Sequence, residues 1–219
     1  MQKKKPFDVI GYGAVAVDDI LYIDHFPESD TKIEVQHRER QGGGLIGTAL
    51  VAASRLGIKA AYFGSLGDDD LSAFTREAFI KDGVDISMVL NIPEARPIYS
   101  TILADQRNGD RTIFYSLENF DLIPNDAIPT AIFTDANYLM FDSCVLDKFP
   151  RLVSFARQYK TILVADVETE QVTDYPIEMA AIHHLILNRN LASKITGEHK
   201  PSRILEKLDS PERKCTIIT

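Results

Sequence analysis

The sequence has 219 residues, 45% of them hydrophobic and 26% charged, which is typical of one folded globular domain and excludes a disordered or fibrous chain. Lys and Arg number 24 against 32 Asp and Glu, so the formal net charge is -8. A field of that sign repels phosphate backbones and anionic membranes, and we therefore expect neither nucleic acid nor a membrane as a partner.

Strands and helices are predicted from the spacing of apolar residues and from the glycines, prolines and acidic caps that end each segment. The predicted strands, in chain order, are residues 7–10, 14–26, 59–64, 99–104, 112–115, 138–141, 161–165, 184–187 and 214–218. The predicted helices are residues 45–56, 71–82, 152–159, 190–196 and 202–208. Their alternation indicates an α/β fold with a mostly parallel central sheet that is covered on both faces.

A second, smaller sheet is predicted from the segments that interrupt this alternation. The dipeptide Asn108-Gly109 joins two β-rich runs, and it accepts the positive φ angles that a tight hairpin requires. This hairpin and the strand at residues 14–26 are candidates for a small sheet apart from the central one.

Two glycine motifs resemble nucleotide sites, and each lacks a necessary part. Gly11 and Gly13 fit the dinucleotide fingerprint G-x-G-x-x-A, but that fingerprint needs a helix after the glycines and a strand is predicted there. The run that begins at Gly42 has the glycine spacing of a phosphate loop, but Thr48 stands where that loop needs a lysine. What remains is either a helix start where a ligand approaches bare backbone N–H groups, or close packing of a helix on a sheet.

The two cysteines, Cys144 and Cys215, are too few for a disulfide framework and favour a reducing compartment. The basic residues 3–5 are not followed by the apolar segment of a signal peptide, and no stretch is apolar enough to span a bilayer. We therefore expect a cytoplasmic location.

The order of the motifs resembles the N-terminal part of PfkB-type (ribokinase-family) carbohydrate kinases. The resemblance rests on the glycine run 42–44, the helix end Ser-Arg-Leu-Gly at 54–57, the segment Phe-Gly-Ser-Leu-Gly-Asp-Asp at 63–69 and Lys-Asp-Gly-Val-Asp at 81–85. The triple glycine and the segment Asn-Gly-Asp-Arg-Thr-Ile at 108–113 are most similar to the ketohexokinase and sulfofructose-kinase branches.

The resemblance implies one domain over residues 1–219, with a three-layer α/β body and a small β-sheet lid from about residues 14–40 and 96–117. It implies an enzyme that uses ATP and magnesium to phosphorylate a hydroxyl of a small-molecule sugar or sugar derivative. It also implies a homodimer formed through the lid.

The resemblance assigns residues to the sugar site. Asp18 matches the acid that hydrogen-bonds sugar hydroxyls, and a solvated turn acid is the alternative. The glycines of the sugar loop are Gly42, Gly43, Gly44 and Gly47. Gly44 and Gly47 stand where ketohexokinase and ribokinase carry asparagines, so the expected sugar is not plain ribose.

A further set of residues is expected near anionic groups. Arg111 matches a lid arginine at the anionic end of the site, with an exposed hairpin arginine as the alternative. Asn188 matches the asparagine of an N-x-x-E motif that organises magnesium and phosphate, with a helix cap as the alternative. Asp166, Glu168 and Glu170 follow the end of a predicted strand, where α/β sites lie, and Asp166 is placed with Asn188 in the phosphate and magnesium region; a solvated loop is the alternative.

The sequence also departs from the family pattern. Leu191 replaces the glutamate of the N-x-x-E motif, and the G-A-G-D motif with its catalytic aspartate has no match, so no catalytic residue is assigned. We expect a C-terminally incomplete domain that carries the sugar half of the site, phosphorylates little by itself, and has its last strand at a sheet edge. The alternatives are a non-catalytic sugar-binding or dimerising module and, on Gly11 and Gly13 alone, an NAD-linked oxidoreductase.

Overall fold

The computed structural model, which describes residues 5–168 and 177–219, divides its strands between two sheets. The strands are β1 (Phe7–Tyr12), β2 (Ala16–Ile23), β3 (His37–Gly43), β4 (Ala60–Leu66), β5 (Asp85–Asn91), β6 (Ile98–Asp105), β7 (Arg111–Ser116), β8 (Ala136–Asp142), β9 (Ile162–Val167), β10 (His184–Leu187) and β11 (Cys215–Ile218). The helices are α1 (Leu45–Arg55), α2 (Asp70–Lys81), α3 (Ala131–Thr134), α4 (Phe149–Tyr159), α5 (Arg189–Thr196) and α6 (Pro201–Leu208).

The larger sheet has seven strands in the order β11-β10-β9-β8-β1-β4-β5, and every neighbouring pair is parallel. This confirms the predicted α/β class and parallel sheet. Strand β1 lies between β4, the next strand of this sheet along the chain, and β8, so the strand order reverses direction at β1. In open α/β sheets, ligands bind outside the carboxyl ends of the strands at such a reversal of strand order.

Helices cover the two faces of this sheet unequally. Helices α1 and α2 pack on β1, β4 and β5 around Ile46, Leu50 and Phe79, and α3 to α6 pack on the opposite face around Leu139 and Leu163. On the α1 side, α1 also reaches β8 at Met140, while Tyr138 of β8 and Ile217 of β11 are exposed. The prediction of a sheet covered on both faces therefore holds for β1 and β4, and β11 lies at the sheet edge as expected.

The smaller sheet, which we call the lid, has the order β3-β2-β6-β7. Its central pair, β2 and β6, is parallel, and each edge strand is antiparallel to its neighbour. The predicted β6–β7 hairpin is confirmed, but its loop is longer than a two-residue turn. The N–H of Gly109 donates to the carbonyl of Asp105, and Gly109, not Asn108, takes the positive φ of 79°.

The signals that end the predicted helices also act as expected. The Asp69 side chain accepts from the Ser72 N–H at 2.8 Å and caps α2, and Gly83 follows that helix with a φ of 75°. Two strands, β3 and β5, were not predicted. Every residue of β3 before Gly43 is exposed, so its sequence has no apolar alternation, and β5 lies at a sheet edge where burial is partial.

Candidate active site

A cleft of ≈ 870 Å³ lies between the inner face of the lid and the start of α1. It brings together most of the side chains and glycines that the sequence assigned to the site: Asp18, Gly42, Gly43, Gly44, Arg111 and Asp166. Gly47 and Asn188 do not line this cleft. Glu170 lies outside the described residues. The structure therefore joins the lid acid, the glycine run and the lid arginine in one concavity.

Asp18 lies in strand β2, half-buried, with its side chain in the cleft. Its register partner on β6 is Ser100, a buried residue whose hydroxyl hydrogen-bonds the carboxylate. Burial raises the pKa of Asp18, while the hydrogen bond with Ser100 and the charge of Arg111 lower it, and the net direction is upward. Asp18 is thus a strand residue in a partly desolvated site and not a solvated turn acid.

Asp19, the next residue, has a different environment because successive strand residues point to opposite faces. Its two carboxylate oxygens accept from Arg40 Nε and Nη2, each at 2.7 Å, and Oδ2 also accepts from the Tyr99 hydroxyl at 2.8 Å. The hydrogen bond from Arg40 is the main cause that lowers the pKa of Asp19. Asp19 is therefore satisfied by the protein, which leaves Asp18 as the acid of this pair that faces the cleft.

The three consecutive glycines serve three different purposes. A Cβ on Gly43 would overlap Asp18 Oδ2, so the absence of a side chain makes room for the carboxylate. Gly44 has a φ of 82°, and a Cβ there would collide with the backbone of Ala14. A Cβ on Gly42 would meet no atom within 4 Å. Glycine is therefore required at positions 43 and 44, whereas position 42 has room for a side chain.

The start of α1 differs from the bare helix terminus that the sequence suggested. The N–H groups of Ile46 and Gly47 both donate to the carbonyl of Ala14, each at 3.1 Å. These two first-turn donors are therefore satisfied by the chain itself. Gly47 is buried, and a Cβ there would lie 3.4 Å from the Val15 side chain, so its place in the structure is a helix-packing position.

Arg111 begins strand β7 and lines the cleft next to Gly109 and Asp110. Its positive charge lowers the pKa of Asp18, which places the guanidinium and the carboxylate in one electrostatic environment. The other hairpin arginine, Arg107, is engaged elsewhere, because its Nε donates to the carbonyl of Asp24 at 2.9 Å. Arg111 is exposed, and the cleft is the space that its side chain borders.

Two carboxylates stand side by side at the carboxyl ends of β8 and β9. Asp142 and Asp166 are register partners, and Asp142 is fully buried. Asp142 accepts from the Ala14 N–H at 2.8 Å and from the Cys144 N–H at 2.9 Å. Burial raises the pKa of Asp142 to about 6 in spite of these donors. Burial and the charge of Glu168 raise the pKa of Asp166 to about 6.

Asp142 was missed by the sequence analysis, although it directly follows a strongly predicted buried strand. A carboxylate in that position is a signal for the carboxyl edge of a parallel sheet. The hydrogen bond that Asp142 accepts from the Ala14 N–H joins β8 to the short connection between β1 and β2. At this connection the chain passes from the body into the lid.

Asn188 adopts the role of a helix cap, the alternative that the sequence left open. Its Oδ1 accepts from the Leu191 N–H at 2.8 Å at the start of α5, and its Nδ2 donates to the carbonyl of Glu168 at 3.3 Å. Both ends of the amide are thus engaged within the protein. Its role near phosphate or magnesium stays a prediction.

The glycines of the dinucleotide-like motif pack inside the body. A strand, β2, follows them as predicted, so no helix start faces a pyrophosphate at this point. A Cβ on Gly11 would press into the side chains of Ile46 and Leu50, and one on Gly13 would meet the Asp142 carboxylate. Both glycines have packing roles, and the oxidoreductase hypothesis has no support in this geometry.

The comparisons with known proteins agree with this architecture. The family model described as "pfkB family carbohydrate kinase" matches residues 8–218. The chain belongs to this family. A nucleoside kinase from Methanothermobacter thermautotrophicus is 28% identical to it over 109 residues, which are 49% of this chain and 35% of that protein. Ketohexokinase from Mus musculus is 30% identical over 105 residues, 48% of this chain and 35% of the relative.

Solved structures support the fold in the same way. The structure of Arabidopsis thaliana ribokinase complexed with ribose and ATP superposes with a TM-score of 0.75 at 14% identity, covering 97% of this chain and 71% of that one. The α/β body and small lid sheet are therefore those of the ribokinase-like fold. The chain spans 35% of the length of each of the two curated relatives named above.

Two further observations concern metals and membranes. Within residues 5–168 and 177–219, no group of three or more His, Cys, Asp or Glu is placed to hold a metal ion. None of the helices in those ranges combines the length and the apolar character needed to cross a membrane.

Proposed function

We propose that this chain binds the sugar substrate of a pfkB-family kinase in the cleft between the lid and the body. The observation that carries the proposal is the convergence of Asp18, the glycine run and Arg111 on one cavity, in a chain that belongs to a carbohydrate kinase family. Sites of this kind are concave, largely apolar and furnished with a few convergent polar groups.

Asp18 is the residue proposed to recognise the sugar. An ionised carboxylate accepts two hydrogen bonds at once, and such charge-assisted bonds are roughly twice as strong as neutral ones. Ser100 hydrogen-bonds the carboxylate from β6 and so limits its orientation. Sugar hydroxyls that point toward β2 would donate to Asp18, while the backbone at Gly43 allows close approach.

The rest of the lid surface suits a ring with one apolar side. The inner-face residues that line the cleft include Ile20, Ile102, Ile113 and Tyr115. At the hairpin, Arg111 lines the cleft beside Asp110, whose carboxylate accepts from the Asn108 side-chain amide at 2.9 Å. A planar guanidinium matches the oxygens of a phosphate or sulfonate group. We therefore propose a sugar or sugar derivative that carries an anionic group at the hairpin end.

ATP and magnesium belong to the proposal through the family. Magnesium prefers carboxylate oxygen, water and phosphate ligands, and among the cleft carboxylates we propose Asp166, near the carboxyl end of β9, for such a set. When bound, the pair would supply the transferable phosphoryl group and neutralise its charge. The residues of this chain are assigned the binding and orientation of the acceptor sugar, and none of them is assigned the removal of its proton.

Isothermal titration calorimetry with D-fructose, D-ribose, a sugar phosphate and a nucleoside tests the proposal. We expect at least one of these to bind, with the affinity falling about 10- to 100-fold in Asp18→Asn through loss of a charge-assisted hydrogen bond. Asp19→Asn is the matched control, because it lies on the same strand and faces away from the cleft. Absence of binding by every compound, or equal losses in the two variants, would contradict the proposal.

We also propose that the lid forms a homodimer, and that the protein acts in the cytoplasm. Support for the dimer comes from the exposed apolar side chains of β7 and its end, among them Phe114 and Leu117, on edge strands that offer unpaired backbone groups. Light scattering that shows a monodisperse monomer would contradict the dimer. Support for the location comes from the two cysteines, both free.

A further inference from the structure

A second cavity, of ≈ 350 Å³, lies between α1 and α2 and adjoins the sugar cleft at the glycine run. We call it the rear cavity. It is bounded by the end of β3, by one face of α1 and by α2. Three of the glycines that the resemblance assigned to the sugar loop, Gly42, Gly43 and Gly47, lie in its wall, and its helix residues from Val51 onward belong to no site assigned above.

The walls of the rear cavity are mainly apolar. Val51 and Ala52 contribute from α1, and Ala78 and the buried ring of Phe79 contribute from α2. The one buried hydroxyl of the wall, that of Thr75, already donates to the Leu71 carbonyl at 3.0 Å. A ligand in this space is therefore not required to satisfy that group, and burial of an apolar ring is the favourable interaction available.

Charge at the rim limits the kind of ligand. Arg55 and Asp82 join α1 to α2 across the cavity through an ion pair of 2.8 Å. An anionic ligand would compete with Asp82 for Arg55, and a cationic one would compete with Arg55. A neutral ring with one hydrogen-bonding group leaves that pair intact and can use the polar end of Gln41 or Thr48.

The rear cavity and the sugar cleft share part of their walls. Six residues line both spaces: Ala16, Gln41, Gly42, Gly43, Thr48 and Ala52. Gly43 also makes room for the Asp18 carboxylate. A molecule in the rear cavity that shifts the backbone at Gly43 therefore changes the position of that carboxylate. Two ligands that share a movable wall influence each other's affinity, and the influence is reciprocal.

We propose that the rear cavity is a binding site for a small neutral aromatic or alicyclic molecule, and that its occupancy changes the affinity of the sugar cleft. The binding site itself is independent of the proposed function. The coupling rests on the proposed function, since it requires that the cleft bind a sugar.

Binding of indole to the full chain tests the site. Indole is a neutral ring with one N–H donor, and because the chain contains no tryptophan its fluorescence can be followed without background from that fluorophore. Ala78→Leu fills the cavity from α2, and Ala73→Leu places the same side chain on an exposed position of the same helix. We expect indole to bind the wild type and Ala73→Leu alike and at least about tenfold more weakly to Ala78→Leu. Absence of binding to the wild type, or equal binding to both variants, overturns the site.

The coupling is measured by titrating the sugar that binds in the calorimetric panel with and without saturating indole. We expect the sugar affinity to change in the wild type and in Ala73→Leu and to stay constant in Ala78→Leu. An unchanged sugar affinity in the wild type overturns the coupling and leaves the indole result to decide the site. If no sugar binds, the proposed function fails, and the indole titration still decides whether the rear cavity is a binding site.

Discussion

The Asp18 carboxylate occupies the space that a side chain on Gly43 would need. The two residues lie on neighbouring antiparallel strands, where Asp18 pairs with Gln41 and Ala16 pairs with Gly43. The acid therefore leans along β3 toward the start of α1. Gly43 is therefore needed to leave room for the Asp18 carboxylate, and substitution by alanine, which adds one methyl group, tests this.

Gly43→Ala is expected to weaken sugar binding about tenfold or more, because the added methyl group displaces the Asp18 carboxylate and costs a charge-assisted hydrogen bond. Calorimetry with the sugar that the wild type binds measures the effect. Gly42→Ala is the comparison variant, since a Cβ at that position also borders the cleft but meets no protein atom within 4 Å, so it tests crowding of the ligand without displacement of Asp18. A wild-type affinity in Gly43→Ala would show that Asp18 does not depend on the glycine.

Arg111→Ala is expected to lower the affinity for sugars that carry phosphate or sulfonate more than the affinity for neutral sugars. The reason is that the guanidinium lines the cleft and supplies positive charge near Asp18. Arg107→Ala serves as the control, because that arginine belongs to the same hairpin and donates to the Asp24 carbonyl. A loss that is the same for neutral and anionic sugars would count against an anion-recognising role.

Asp142 is expected to make the protein more stable as the pH falls from 7 to 5. Its pKa of about 6 in the folded state exceeds the ordinary value of 3.8, so the folded protein binds more protons than the unfolded chain between these values. The free energy of unfolding then rises with decreasing pH, by about 1 kcal/mol from this residue. Urea unfolding at pH 5, 6 and 7 measures the slope.

Asp142→Asn should remove this contribution to the slope. It should also cost about 1–3 kcal/mol at pH 7, because an amide presents one acceptor oxygen to the two backbone donors of Ala14 and Cys144. Parallel pH dependences of wild type and variant would mean that Asp142 titrates in the folded protein as it does in the unfolded chain.

Lys148→Met is expected to destabilise the fold by about 3–5 kcal/mol, since it leaves the Asp121 carboxylate buried without its cation. The two side chains are 8% and 7% exposed and lie 2.9 Å apart, and the Tyr12 hydroxyl also donates to Asp121. Thermal or urea unfolding measures the loss. Lys207→Met breaks a more exposed ion pair, with Glu198, and should cost less than about 1 kcal/mol. Equal losses of stability in the two variants would contradict the view that burial makes the Lys148–Asp121 pair more important than an exposed pair.

The sequence predicted the elements whose signals are local. The spacing of apolar residues located α1 and α2, and Asp69 and Gly83 marked the ends of α2 as observed. Strand β3 was not predicted because its residues are polar or glycine and all but Gly43 are exposed, so that its conformation is set by pairing with β2. When pairing with a neighbouring strand sets the conformation, the strand's own composition predicts it poorly.

Residues of the candidate site that the family resemblance named do converge on one cleft, whereas residues brought together from distant segments were not predicted. Asp18, the glycines 42–44 and Arg111 were assigned from motifs and line one cleft. Ser100 and Asp142 were missed, because their partners come from remote parts of the chain: the bond from Ala14 to Asp142 spans 128 positions. Gly47 was placed in the site because its motif is contiguous, whereas the helix turns it toward Val15.

The parallel pairing of β2 with β6 has a consequence for how the molecule folds. Ile23 ends one of these strands and Ile98 begins the other, and the polypeptide between them forms β3 of the lid and α1, β4, α2 and β5 of the body. Contacts between such remote segments form slowly, because closing a long loop costs entropy before any bond repays it. We expect backbone amides of β2 and β6 to gain protection late in a pulse-labelled refolding experiment, after those of β1 and β4.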